Sequence, residues 1–319
     1  MKLSALTLLW MFFILACSKE EKSVVDVSNI QTETIVKRFD QEFYTISPEN
    51  LNVLKGEYPY LFPESNPDTV WLNKMNNKDE LALFEESQKL YSDFSKEQEQ
   101  LDILFKHIKY YYPQFKEPKT ITILTNVDYE NNVVLADSLL FISLDIFLGK
   151  DNEVYDDFPN YIKQNYTEEH LIVAVADKFV HRFIPLSSNN DLIARMVQEG
   201  KKLILTQAFL PDKEENEIIG YTKDQLYWAE LSETEIWKYF IQNEMLYNSD
   251  GQLAERFIDE APFSKFFLEI DQESPGRIGA WFGWQIIRSY LKNNKVPLQK
   301  VMLMDNEEIF NRSKYKPKK

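Results

Sequence analysis

After residue 79 apolar side chains recur mostly at intervals of three and four, the period of an amphipathic helix, and only a short central stretch carries strand-like β-branched runs. Residues 79–93 and 95–112 have helical spacing. In the second segment Leu101, Leu104, Phe105 and Ile108 form one apolar stripe, Ser95 and Gln98 are spaced for a capping box, and Pro113 ends the helix. Ahead of them, 32–39 (TETIVKRF) predicts a short strand, and Pro59, Pro63 and Pro67 punctuate a loop. Residues 119–127 and 132–135 predict a hairpin through the turn-like 128–131, with 139–143 as a third strand. From Glu168 onward the pattern is helical, over 168–183, 189–209, 223–230, 234–247, 262–269, 279–293 and 305–312. The predicted class is α+β and predominantly helical: a small central β-sheet followed by a helical half.

The N-terminus breaks this pattern. Lys2 precedes an apolar run from Leu3 to Ala16 that stops at Cys17 and the polar SKEEK. A bilayer-spanning helix needs roughly 20 apolar residues, so residues 1–16 read as a secretory signal peptide. Cys17 is the sole cysteine, and an exported chain with one thiol at its cleavage site does not use it for a disulfide. Ile14-Leu15-Ala16-Cys17 resembles a lipobox, which implies acylation of Cys17, with palmitate among its chains, and attachment to a membrane through lipid alone. Each buried methylene of such chains contributes about 0.8 kcal/mol. A cleaved signal with a chance cysteine, or an uncleaved anchor, is the other reading of these residues. Residues 17–29 are polar without helical period and read as the lipidated N-terminus and its tether. Residues 30–319 read as a single globular domain.

Composition narrows the function. With 44% apolar and 14% aromatic residues a substantial core can form. The formal charge of −15 argues against nucleic acid, whose phosphates need clustered Lys and Arg. There is no G-x-S-x-G elbow, no phosphate-binding glycine loop and no thiol in the folded body, so neither nucleophilic catalysis nor a cofactor is expected.

Two places could carry chemistry. On the helix 168–183, His170, Asp177 and His181 fall within a sector of about 40° at the helical period. Asp177 and His181 are one turn apart, the spacing at which two side chains can share an ion, and Glu199 could add a third ligand from the next helix. The competing reading is the wet edge of a mostly buried helix, and the preference of zinc for His and Cys favours it. The second place is 274–284 (SPGRIGAWFGW), where Gly276, Gly279 and Gly283 concentrate three of the eight glycines of the chain. Inside a helix each glycine costs up to about 1 kcal/mol relative to alanine, so something must offset it. Close helix packing is the stronger explanation; a groove presenting Arg277, Trp281 and Trp284 is the alternative.

Several of these stretches, with others along the chain, resemble the gliding motility lipoprotein family GldB. They are Arg38-Phe39-Asp40, Tyr58-Pro59-Tyr60-Leu61-Phe62-Pro63, Leu104–Tyr111, Gly220-Tyr221-Thr222, Ile236–Ile241, Arg256–Asp259, Ala261–Phe266, Ser274–Gly279 and Ser313–Pro317. The resemblance implies a non-enzymatic lipoprotein of the cell envelope, facing the periplasm or the cell surface. Its partners would be other envelope proteins of the gliding and secretion apparatus. A fainter similarity, in the order of sheet and helices, is to gluzincin-type zinc peptidases. Laid on this chain, their H-E-x-x-H motif falls on 177–181, with Asp177 for the first histidine, Lys178 for the catalytic glutamate, His181 kept, and Glu199 on the later helix. That similarity implies a degenerate zincin-like peptidase fold without its chemistry, because a lysine cannot act as the general base beside a zinc-bound water. A metal-dependent peptidase and a ligand-binding lipoprotein remain the alternative functions.

Overall fold

A computed structural model describes residues 25–318. The signal peptide, Cys17 and the first part of the tether lie outside the described residues. Strand β1 (Val36–Lys37) leads into short helices α1 (Phe39–Thr45), α2 (Leu51–Glu57) and α3 (Asp68–Met75), then the longer α4 (Lys78–Tyr91) and α5 (Ser95–Tyr111). Strands β2 (Lys119–Ile123), β3 (Val133–Ala136) and β4 (Leu139–Ser143) complete a sheet of order β1-β2-β4-β3, parallel except for the β3–β4 pair. The helical half comprises α6 (Asn160–Lys163), α7 (Glu168–Val180), α8 (Leu192–Phe209), α9 (Glu215–Ile219), α10 (Lys223–Gln242), α11 (Gly251–Phe257), α12 (Ile278–Asn293), α13 (Leu298–Leu303) and α14 (Asn306–Ser313). The α+β class with a small sheet preceding the helices is as the sequence predicts.

Alternation along the strands sorts side chains between two apolar clusters. Ile121, Ile123, Leu139 and Phe141 pack with Phe43, Leu54, Tyr58 and Phe62 of the N-terminal helices. Leu140 and Ile142 face the large core of α5, α7, α8 and α12. On that same face Thr122 donates to buried Asp40, which Arg38 grips through both carboxylate oxygens at 3.0 and 2.7 Å. The stripe of Leu101, Leu104, Phe105 and Ile108 on α5 is fully buried.

Several sequence expectations are corrected. Residues 119–127 and 132–135 do not form a hairpin: β2 pairs in parallel with β4, and the hairpin is β3–β4 through Asp137 and Ser138. The reason lies in residues 125–127. Buried Asp145 accepts the backbone N–H groups of Thr125 and Val127, and Asn126 and Val127 take positive φ, so the chain turns away from β2 before it could pair. The strand at 32–39 shrinks to two residues, because Arg38 already caps α1. Ser95 and Gln98 make no capping box: Asp93 accepts the N–H and hydroxyl of Ser95, and Gln98 reaches back to the Thr34 carbonyl. Helices 223–230 and 234–247 are one helix, α10, started by a true capping box between Thr222 and Gln225. Residues 262–269 are not a helix, since Asp271 draws the N–H groups of Phe266, Phe267 and Leu268 onto its carboxylate; α11 precedes them instead.

The closest approach in the helical half is between α8 and α12. A Cβ on Gly283 would lie 1.6 Å from the Met196 carbonyl oxygen, and one on Gly200 would lie 2.2 Å from the Gly283 carbonyl. Gly279 similarly abuts the Phe257 carbonyl of α11, at 2.8 Å. These glycines permit backbone-to-backbone packing, and Trp281 and Trp284 on α12 are buried to 2% and 0% exposure. Gly283→Ala should therefore destabilise the protein by at least the usual overpacking penalty of about 1–3 kcal/mol, outweighing the helix-propensity gain. Gly283→Leu should prevent accumulation. Urea denaturation of the alanine variant checks the sign, and a raised midpoint would contradict the packing.

Candidate functional site

The two candidate places of the sequence meet in one cavity. Its volume is about 340 Å³, and its walls include His170, Asp177, Lys178 and His181 of α7, Glu199 and Lys202 of α8, and Arg277 at the start of α12. The meeting follows from the glycine contact. Gly200 against Gly283 sets α8 beside α12, which brings Glu199 to the turn preceding α12, while α7 packs along α8 on its other side.

That turn is built by three distant segments. Tyr221 donates its hydroxyl to the Gly276 carbonyl at 2.7 Å, and Gly276 lies so close to Ala261 that a Cβ would meet its carbonyl oxygen at 2.1 Å. Buried Ser264 donates to the Pro275 carbonyl at 2.7 Å and accepts the N–H of Ile278 at 3.2 Å, capping α12 from outside the helix. Arg277 itself, the N-cap residue, is left in the left-handed region at φ 58°. For a residue of this size that conformation costs of order 1–3 kcal/mol.

Of the candidate positions 177, 178, 181 and 199, only Asp177 and His181 face one another. His181 Nε2 lies 3.5 Å from Asp177 Oδ2, both side chains being half open to the cavity. Glu199 is held by Lys202 at 2.6 Å and faces Arg277 at 3.6 Å. Among the described residues no three His, Cys, Asp or Glu side chains are placed to hold a metal ion. The groove reading of 276–284 is corrected as well: the indoles of Trp281 and Trp284 are core, and of that set only Gly276 and Arg277 border open space.

Charge shapes each group. Enclosure opposes ionisation of Asp177, yet the hydrogen bond and charge of His181, with Arg277 and Lys202 behind it, hold its carboxyl below the usual range. Arg277 is pushed the other way by Glu199, Glu260, Tyr221 and Asp177, against the cost of enclosure, and its pKa is raised. Enclosure above all, with the charges of Lys213 and Arg277 adding to it and those of Asp177 and Glu217 opposing it, pushes the His170 imidazole down to about 4. Lys202, Glu260 and Tyr221 were not picked out from the sequence. Lys202 was findable as the i+3 partner of Glu199, but Glu260 and Tyr221 reach the site only through the tertiary path of the 261–277 segment.

Together the fold and site define an α+β scaffold with an ionic cavity. The chain belongs to the gliding motility protein GldB family, whose model matches residues 20–317. It is a gliding motility lipoprotein of the cell envelope. No curated protein and no solved structure matches the chain. No described helix is long and apolar enough to cross a membrane.

His170 provides a direct check on the electrostatics. Its imidazole should titrate near pH 4, far below the ordinary 6.5. Between those values the unfolded chain binds a proton that the native state refuses, so stability falls as pH drops through this window. NMR titration of the three histidines should show one such ring, absent in His170→Gln, whose loss of stability on acidification should be shallower. A His170 resonance moving near pH 6.5 would contradict the assignment.

Proposed function

We propose that this member of the family acts by protein contact, as an envelope component held to a membrane by lipid on Cys17 and docked to other proteins of the gliding and secretion apparatus through the 266–271 turn. The observation that carries this reading is a rigid apolar knob. Phe267 and Leu268 are 76% and 54% exposed, with Ile270 beside them at 42%. Both oxygens of Asp271 clamp the turn, accepting the N–H groups of Phe266 at 3.0 Å, Phe267 at 2.9 Å and Leu268 at 3.2 Å. Phe267 is bent to φ 63°, and the Arg256 guanidinium lies 4.5 Å over its ring. A strained, fastened turn that projects large apolar groups into water is the form of a contact site. In the same reading residues 17–29 are the tether and 30–319 the body.

Replacing Phe267 and Leu268 together by serine removes exposed groups and the exposed stacking of Arg256 on Phe267, so stability should fall by no more than about 1 kcal/mol. Gliding, and crosslinking to envelope proteins in intact cells, should be lost. A double variant that glides normally with unchanged crosslinks would rule out this turn as the contact. For the anchor, Cys17→Ala should leave an unprocessed precursor or release the protein from membranes. Normal processing together with membrane fractionation would contradict lipidation.

A further inference from the structure

We propose that the cavity between α7, α8 and the Arg277 turn binds a small carboxylate-bearing ligand of amino-acid size, with Arg277 and Lys178 as its carboxylate ligands. The first support is an inventory of donors. The Arg277 guanidinium makes no hydrogen bond to the described residues; its ion pair with Glu199 Oε2 is long, at 3.6 Å, while Lys202 holds the other oxygen of that carboxylate at 2.6 Å. A guanidinium presents five N–H donors in a fork that matches a carboxylate, and here the fork is aimed into a cavity while its side chain is only 27% exposed. The Lys178 ammonium and the His170 imidazole line the same space and likewise make no side-chain hydrogen bond to the described residues.

The second support is independent and lies in the backbone. Position 277 requires left-handed φ, which glycine and asparagine adopt with far less strain than arginine. The segments that hold it there, through Ser264, Gly276 and Tyr221, fix the direction of the side chain. Backbone strain alone would favour glycine or asparagine at this place, and an interaction of the guanidinium with a ligand would offset it.

Charge balance narrows the ligand. Lys178, Lys202 and Arg277 are opposed by carboxylates that include Asp177, Glu199 and Glu260. A dianionic phosphate would be repelled by that wall, whereas a single carboxylate attached to a polar or cationic group satisfies both signs. A space of about 340 Å³ accommodates a group of amino-acid to dipeptide size. The carboxylate could belong to a free small molecule or to the C-terminus of a polypeptide, and the two sources are separable.

The test is calorimetric titration of the full chain in detergent with acetate, L-alanine, L-alanyl-L-alanine, and the C-terminal amide and N-acetyl form of that dipeptide. Saturable binding of the free acids is expected in the millimolar range or tighter, with the amide at least about tenfold weaker, the loss of one charge-assisted hydrogen-bonded pair. Binding kept by the N-acetyl form identifies a polypeptide C-terminus as the source; binding lost identifies a free zwitterion. Arg277→Asn should abolish binding while leaving the melting temperature equal to or above that of the parent, because the backbone strain is relieved. Lys178→Gln, which touches no strained residue, should weaken binding several-fold and serves if the first variant fails to fold. No saturable binding of any of the acids, equal binding of the amide, or full affinity in either variant overturns the proposal. The membership of the family and the contact role of the 266–271 turn stand apart from that result.

Discussion

The contact on which the helical half depends is one of backbone against backbone. At Gly200 and Gly283 two helices approach until no side chain, not even a methyl group, fits between them. Helices packed through ordinary side chains lie 8–10 Å apart; removing the side chains lets the axes come nearer and makes the register between them discrete. A shift of one residue would place Glu199 or Lys201, or Phe282 or Trp284, where only glycine can stand. The register in turn decides what lies at the end of each helix. Glu199, next to Gly200, is carried to the turn that begins α12, and the large faces of Trp281, Phe282 and Trp284 are buried around the contact.

The turn before α12 is the second fixed point, and it depends on segments far apart in the chain. Ser264 supplies the cap that Arg277 cannot give, Ala261 leaves room for no residue but glycine at 276 while Tyr221 holds the carbonyl of that glycine, and Arg277 takes up the strain. Three of the stretches that resemble the family, 220–222, 261–266 and 274–279, are therefore one structure. A fourth, 313–317, closes over α10, where Tyr315 donates to buried Glu233 at 2.7 Å.

How much of this was legible in the sequence depended on whether the deciding interaction was local. The stripe on α5 and the core faces of α7 and α8 follow from periodicity, which burial of an amphipathic face enforces. The glycines of α12 were legible as a cost needing an offset, and the offset is the contact with α8. The false hairpin had good local signals but lost to Asp145, twenty residues downstream, whose carboxylate captured the N–H groups the hairpin would have used. The helix placed at 262–269 failed in the same way to Asp271. The union of the Asp177–His181 stripe with Arg277 could not be read from spacing at all, because it arises from the α8–α12 register and from a capping serine outside the helix it caps.

The two strained arginine and phenylalanine positions share their restraints. Asp271 clamps the turn that bends Phe267, and its carbonyl accepts the Ser274 hydroxyl at 2.7 Å. Ser274 accepts the N–H of Ser264 at 3.1 Å, and Ser264 caps the helix at whose first position Arg277 is strained. The exposed knob and the cavity cation are thus the two ends of one hydrogen-bonded segment, 264–278, with the second end anchored on the glycine contact. The Arg277 end cannot relax its backbone without breaking the buried hydrogen bonds of Ser264, a loss of about 1–3 kcal/mol for each group left unpaired. Phe267, by contrast, is held by three bonds to one carboxylate nearer the surface. The chain holds two residues in conformations they disfavour because the clamps between them share residues and support one another. That arrangement keeps an apolar surface rigid on one side of the segment and a guanidinium aimed into a cavity on the other.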